Sequence, residues 1–174
     1  MTEHERTEPR GAVIVGVDGS AGASAALMWA AAEARLRETR LRVIHAWRFS
    51  YPEVGGYGWG GSVEVLPRTG MSDLHQAAEG LLDEATANLA SAGVDVDFEC
   101  EAVEGAPADV LVRAAKEGDL LVLGSRGHGG FVGLLLGSVS QQCAHHAACP
   151  VVIVHAPKRA LKRDNASGKQ GAAA

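Results

Sequence analysis

The sequence predicts a doubly wound α/β domain built on a five-stranded parallel sheet, and three observations carry that expectation. Short β-branched runs alternate with helical stretches from about residue 12 to residue 156, as in a series of right-handed βαβ crossovers. The runs AVIVGV (12–17) and VVIV (151–154) are almost wholly apolar, as strands covered on both faces are. The chain of 174 residues, 47% apolar and 21% charged, suits one globular domain with its own core.

Each element has its own signal. AVIVGV reads as a buried first strand, ended by the turn signal Asp18-Gly19-Ser20. From Ser24 to about Glu38 the chain is rich in Ala, Leu, Glu and Arg, all good helix formers. Leu27, Ala31, Ala34 and Leu36 are expected loosely on one side of that helix. LRVIHAW (41–47) reads as the second strand. Residues 48–70 are rich in Gly and aromatics without a period, a length at which a loop is usually functional or mobile. From Ser72 to about Ala92, the residues Leu74, Ala78, Leu81, Ala85 and Leu89 recur at spacings of three and four, an amphipathic helix. VDVDFECEAV (94–103) alternates apolar and acidic residues, as a strand with one wetter face does. Pro107 opens a third helix that Gly118 is expected to end. DLLVLGS (119–125) is the fourth strand, residues 138–148 the fourth helix, and the run after Pro150 the fifth strand. Five such strands fit the flavodoxin-like, Rossmann-like size class with order 3-2-1-4-5. There, ligands bind beyond the carboxyl ends of the strands where the order reverses.

Composition sets bounds on function. The net charge of −5 supplies no broad basic footprint for nucleic acid, so no nucleic-acid partner is expected. No apolar run approaches the roughly 20 residues needed to span a bilayer. The stretch MTEHERTEPR has no apolar core of a secretory signal. The odd set Cys100, Cys143 and Cys149 reads as reduced thiols, and the expectation is a cytoplasmic protein without a membrane partner. Residues 1–10 and 158–174 read as solvated tails around a domain at 11–157. The second tail carries five basic residues against one acidic residue and too little apolar surface to offset ordering.

The chain holds 22 glycines, and their clustering is informative. After the fourth strand runs Gly124-x2-Gly127-x9-Gly137-Ser138. Glycine lets backbone N–H groups approach a ligand closely, and a helix N-terminus offers unsatisfied donors to an anion. Ser138 and Ser140 bring hydroxyls, and Arg126 or His128 brings positive charge, which together make a cradle for a polyphosphate. The alternative is a tight crossover with Ser138 as N-cap. The loop lacks the Lys of a P-loop, and VGVDGS lacks the spacing of a dinucleotide fingerprint.

The glycine spacing resembles the nucleotide motif of the universal stress protein family, in its ATP-binding branch. VIVGVDGS, EGAPADVLVRAA, LLVLGSRGHGGF and CPVVIV resemble that family's course in register, over about residues 10–157. The resemblance implies that Asp18 lies against the ribose, that Val17 lines the adenine pocket and that Ala46, beside His45, meets adenine through its main chain. It also implies that Gly124, Gly127, Gly137, Ser138, Val139 and Ser140 wrap ribose and phosphates. Arg126 and His128 follow from loop position alone. The segment 51–70 is longer and more Gly-rich than the resemblance requires.

Other candidates weigh less. His145 and His146 stand near Cys143 and Cys149 in sequence, but adjacent residues point about 100° apart on a helix, so structural histidines are expected rather than a zinc site. Asp18 can approach a Mg²⁺ held by phosphates. Trp29 and Trp47 read as core or pocket wall. No catalytic residue is assigned, because no acid–base pair stands at a recognisable spacing. The favoured function is an ATP-binding regulatory module in stress adaptation with slow or no hydrolysis. The alternatives are an ATPase or nucleotidyl-transferring enzyme using the same loop, and a structural dimer without ligand. ATP, AMP and cyclic nucleotides are not distinguished at this point, nor is a client protein named. A homodimer through the fifth strand, 151–155, is expected, since unpaired edge groups invite a second copy.

Overall fold

A computed structural model describes residues 11–48, 69–128 and 135–156. The elements run β1 (Val13–Gly16), α1 (Ala21–Leu36), β2 (Leu41–Trp47), α2 (Thr69–Ser91), β3 (Phe98–Glu104), α3 (Pro107–Ala114), β4 (Leu120–Gly124), α4 (Ser138–His146) and β5 (Val151–Val154). The five strands form one parallel sheet in the order β3-β2-β1-β4-β5, the predicted fold class. The expected tails, the Gly-rich segment over residues 49–68 and the loop residues 129–134 lie outside the described residues.

Alternation along the strands sorts the core into two layers. Val13, Val15, Leu41, Val43 and Val122 face α1 and α2, where they meet Ala26, Leu27, Ala30, Ala31, Leu82 and Leu89. Ile14, Ile44, Leu121 and Leu123 face the other way, against Ala108, Val110 and Leu111 of α3 and Cys143 of α4. The α1 stripe is mostly alanine, so that helix can lie close on the sheet. Leu27, Ala31 and Ala34 are buried as predicted, but Leu36 is 79% exposed. Two residues beyond Ala34, it is rotated about 200° from the buried side. On α2 the buried positions are Ala78, Leu82 and Leu89, while Leu74 is exposed and Leu81 and Ala85 are half-buried against the core.

Boundaries moved where local hydrogen bonding outweighs composition. Helix α1 begins at Ala21 because Ser20 caps it, its Oγ accepting from Ala23 N–H at 3.2 Å. Strand β3 begins at Phe98, where it pairs with Leu41. Val94 and Val96, read as strand, instead pack on the core beside α2. Helix α3 ends at Ala114, short of Gly118, because Ala115 turns extended (ψ 114°). Asp119 then accepts Lys116 N–H and Ala12 N–H, both at 2.8 Å, tying the start of β4 to the start of β1. Arg42 braces the sheet's other side, donating to Glu101 at 2.8 Å and to the Ala114 carbonyl at 3.3 Å. Among the described residues no helix is long and apolar enough to cross a membrane.

Candidate functional site

The ends of β1 and β4 and the start of α4 converge on one cavity, and Ser125 ties the end of β4 to β5 and to the start of α4. Its N–H donates to Val154 O at 2.8 Å, and its carbonyl accepts Gly137 N–H at 2.7 Å. The loop that leaves β4 therefore returns to the peptide it left, which plants α4 beside the strand end. Ser140 is 3% exposed, and its hydroxyl donates to the carbonyls of Ser125 and Gly137, each at 3.1 Å. Its proton is spent inside the protein, which corrects the expectation that this hydroxyl donates to a ligand.

Gly137 is the N-cap of α4 and no side chain caps the helix, so Ser138 is not the N-cap. The N–H groups of Ser138, Val139 and Ser140 belong to the first turn, which has no carbonyl one turn behind it. They give this corner a partial positive charge. At the end of β1 Asp18, also in the cavity wall, bridges two loops. Its Oδ1 accepts Ser20 N–H at 3.0 Å and its Oδ2 accepts His128 N–H at 3.3 Å. The His128 ring stands with Nδ1 3.8 Å from Oδ2. A Cβ on Gly127 would collide with Asp18 Oδ2, so glycine there lets the carboxylate come against the loop. Gly124 has a different reason. A Cβ on it would lie 2.6 Å from the Gly22 carbonyl carbon and 2.9 Å from Ala23 N, so this glycine serves the close packing of β4 on α1 rather than an approach to ligand.

The cavity has a volume of about 320 Å³ and gathers all eleven predicted residues, Val17, Asp18, Ala46, Gly124, Arg126, Gly127, His128, Gly137, Ser138, Val139 and Ser140. Its wall also includes Gly16, Ser20, Ala23, Ile44, Pro107, Leu111 and Leu123, which the sequence reading did not assign. The alternation of the strands held a signal for two of them. Ile44 shares a strand face with Ala46, and Leu123 shares one with Leu121 of the same core layer. Leu111 and Pro107 depend on how α3 lies across the sheet, which no local pattern states. The result is an apolar slot with one carboxylate, one guanidinium and an uncapped helix end at its rim.

Other expected features fall elsewhere. Trp29 is 38% exposed on α1 and Trp47 stacks obliquely on His75, ring centres 5.7 Å apart. Neither lines the cavity. Burial, then the neighbouring Cys149, pushes the Cys143 thiol up to about 11, and burial also raises Cys149. Both thiols are therefore protonated near neutral pH and are poor metal ligands in that state. His145 and His146 are exposed beside them. Among the described residues no group of three or more His, Cys, Asp or Glu is placed to hold a metal ion.

These features define a class: a doubly wound α/β protein with an apolar slot at the carboxyl ends of its central strands and a helix N-terminus at the slot's rim. The Universal stress protein family model matches residues 10–155, and the chain belongs to that family. It is similar to universal stress protein Rv2623 of Mycobacterium tuberculosis, 36% identical over 147 residues that make up 82% of this chain and 47% of the relative. The chain thus spans about half the length of the curated relatives it matches. Among solved structures, universal stress protein UspA from Lactobacillus plantarum superposes with a TM-score of 0.67 at 21% identity, over 85% of this chain and 99% of its own. A universal stress protein solved in complex with cAMP superposes with a TM-score of 0.59 at 30% identity, over 86% of this chain and all of its own.

Proposed function

We propose that this chain is a cytoplasmic, adenine-nucleotide-binding regulatory module of stress adaptation, with ATP as ligand and slow or no hydrolysis. One observation carries the reading: the eleven residues singled out in the sequence line a single cavity whose chemistry suits such a ligand. A base fits the apolar slot of Val17, Ile44, Ala46 and Leu123, where its edge meets main-chain groups. The ribose falls to Asp18, and the phosphates fall to the first turn of α4 with Arg126 beside it. The volume is at the small end of ligand pockets, about 300–1,000 Å³, which suits a base and sugar inside and phosphates at the rim. A Mg²⁺ carried on the phosphates would neutralise part of their charge, with Asp18 as its protein carboxylate. The cAMP complex of the 30%-identical neighbour supports an adenine nucleotide, and the three unpaired cysteines fit a reducing compartment.

The direct test is mass spectrometry of small molecules released from freshly purified protein, followed by calorimetry with ATP, AMP and cAMP. An adenine nucleotide is the expected release, and failure to bind any of the three overturns the reading. Gly137→Val sharpens it. The backbone there (φ −75°, ψ 165°) suits any residue, and a Cβ would meet its nearest neighbour at an ordinary 3.5 Å. The Cβ itself therefore costs little, and the variant should remain folded but bind ATP at least tenfold more weakly, because the branched side chain stands at the mouth of the helix-end site. Unchanged affinity would remove the phosphates from this corner.

The same proposal includes a homodimer through β5. That strand is at the sheet edge, and all four of its residues are apolar and only half-buried. A two-fold copy would pair the backbone groups that no strand pairs among the described residues, and would cover those side chains. Sedimentation of the parent should show a dimer at micromolar concentration, and Ile153→Pro, which removes a ladder donor, should shift it to monomer. A monomeric parent contradicts the assignment.

A further inference from the structure

The β1 turn that carries Asp18 is held in place by a side chain from the neighbouring strand. On β2, alternation sends Ile44 and Ala46 into the cavity wall and His45 to the opposite, α1/α2 face of the sheet. His45 Nδ1 lies 2.8 Å from the Val17 carbonyl oxygen, a partly buried contact across 28 residues of sequence. A carbonyl only accepts, so Nδ1 carries the proton and donates. The preceding ladder bond, Val17 N–H to Ile44 O at 2.9 Å, fixes the other side of the same residue. Val17 is thus gripped at both its N–H and its C=O by consecutive residues of β2.

The consequence reaches Asp18. The Val17 carbonyl and the Asp18 nitrogen share one planar peptide, so fixing that oxygen fixes the direction in which the chain enters Asp18. The Asp18 carboxylate then meets Ser20 N–H and His128 N–H, spanning the β1 turn and the β4 loop. We propose that His45 is a positioning residue of the nucleotide cavity. It touches no ligand, and acts through the Val17 carbonyl to hold the Asp18 carboxylate at the ribose position. This rests on the nucleotide reading above, but its first test does not.

Amide hydrogen exchange reads the positioning without ligand. In His45→Leu, which removes the donor at similar size, the Ser20 and His128 amides should exchange faster, as they should in Asp18→Ala. In His45→Asn, whose Nδ2 takes the place of the imidazole Nδ1, they should keep parental protection. Unchanged protection in His45→Leu overturns the proposal whether or not a nucleotide binds. The second test is ATP affinity by calorimetry. His45→Leu should weaken binding about tenfold, the scale of one lost charge-assisted or buried hydrogen bond, and His45→Asn should return to within about threefold of the parent. On an Asp18→Ala background the Leu substitution should add less than about twofold, since the group it positions is gone. Equal losses on both backgrounds, or no rescue by Asn, would make His45 merely structural. Should His45→Leu fail to fold, His45→Gln replaces it. Its amide extends one bond too far, so it should show the faster exchange that Asn avoids, and equal protection in the two overturns the proposal.

Discussion

Gly124→Ala should lower the melting temperature by about 10 °C, although it adds one methyl group. The added Cβ would stand 2.6 Å from the Gly22 carbonyl carbon and 2.9 Å from Gly22 O and Ala23 N. These are backbone atoms of the first turn of α1, so no side chain can swing aside. The strand end and the helix start must separate, and both belong to the core layer that holds Val15, Val17, Ala23 and Val122. Overpacking costs about 1–3 kcal/mol where side chains can adjust, and this site is at the upper end because they cannot. At roughly 2–4 °C per kcal/mol for a chain of this size, the expected shift follows. Thermal unfolding by circular dichroism reads it. A shift below about 2 °C would mean that α1 is free to slide on β4. Gly137→Ala is the internal comparison, because both glycines belong to one motif, yet the second has room for a Cβ and should melt with the parent.

That contrast shows what the sequence could and could not say. The alternation of elements was legible because apolar runs and helical periods are local and repeated, and the strand order followed from the fold class that this alternation fits. The cavity's motif residues were legible because a spaced glycine set with a helix start after it is also a sequence pattern. The reason for each glycine was not. Gly124, Gly127 and Gly137 look alike in sequence, but one serves helix packing, one admits the Asp18 carboxylate and one caps α4. Those roles depend on what the fold places opposite each glycine, about a hundred residues away for Gly124 and Gly127 and within about a dozen for Gly137. Ser140 misled for the same reason, since its hydroxyl turns back to Ser125 rather than toward the cavity. Leu36 misled because composition suggested a stripe that a strict turn of 100° per residue does not support. His45 was visible in the run LRVIHAW, but its grip on Val17 needs the parallel pairing of β1 with β2.

Asp18→Ala should weaken ATP by about 1–3 kcal/mol, the range for a hydrogen bond to a charged group, which is roughly five- to 150-fold in the dissociation constant. Two losses contribute. The ribose hydroxyls lose their acceptor, and the Ser20 and His128 amides lose the carboxylate that fixes the β1 turn against the β4 loop. Asp18→Asn separates them, because its one carbonyl oxygen can keep an amide contact while the charge is removed, so its loss should be smaller than that of Asp18→Ala. Inorganic triphosphate is the discriminating ligand. It has no ribose, so in the absence of Mg²⁺ its affinity for the parent and for Asp18→Ala should agree within about threefold. If both ligands weaken equally and only when Mg²⁺ is present, the carboxylate belongs to the metal rather than to the sugar. If both weaken equally without the metal, Asp18 serves the loop geometry alone, and the ribose must find its acceptor elsewhere on the rim. The sugar assignment requires the loss to follow the ribose, and calorimetry on three ligands (ATP, adenosine and inorganic triphosphate) reads that directly, since adenosine should lose affinity by the same factor as ATP.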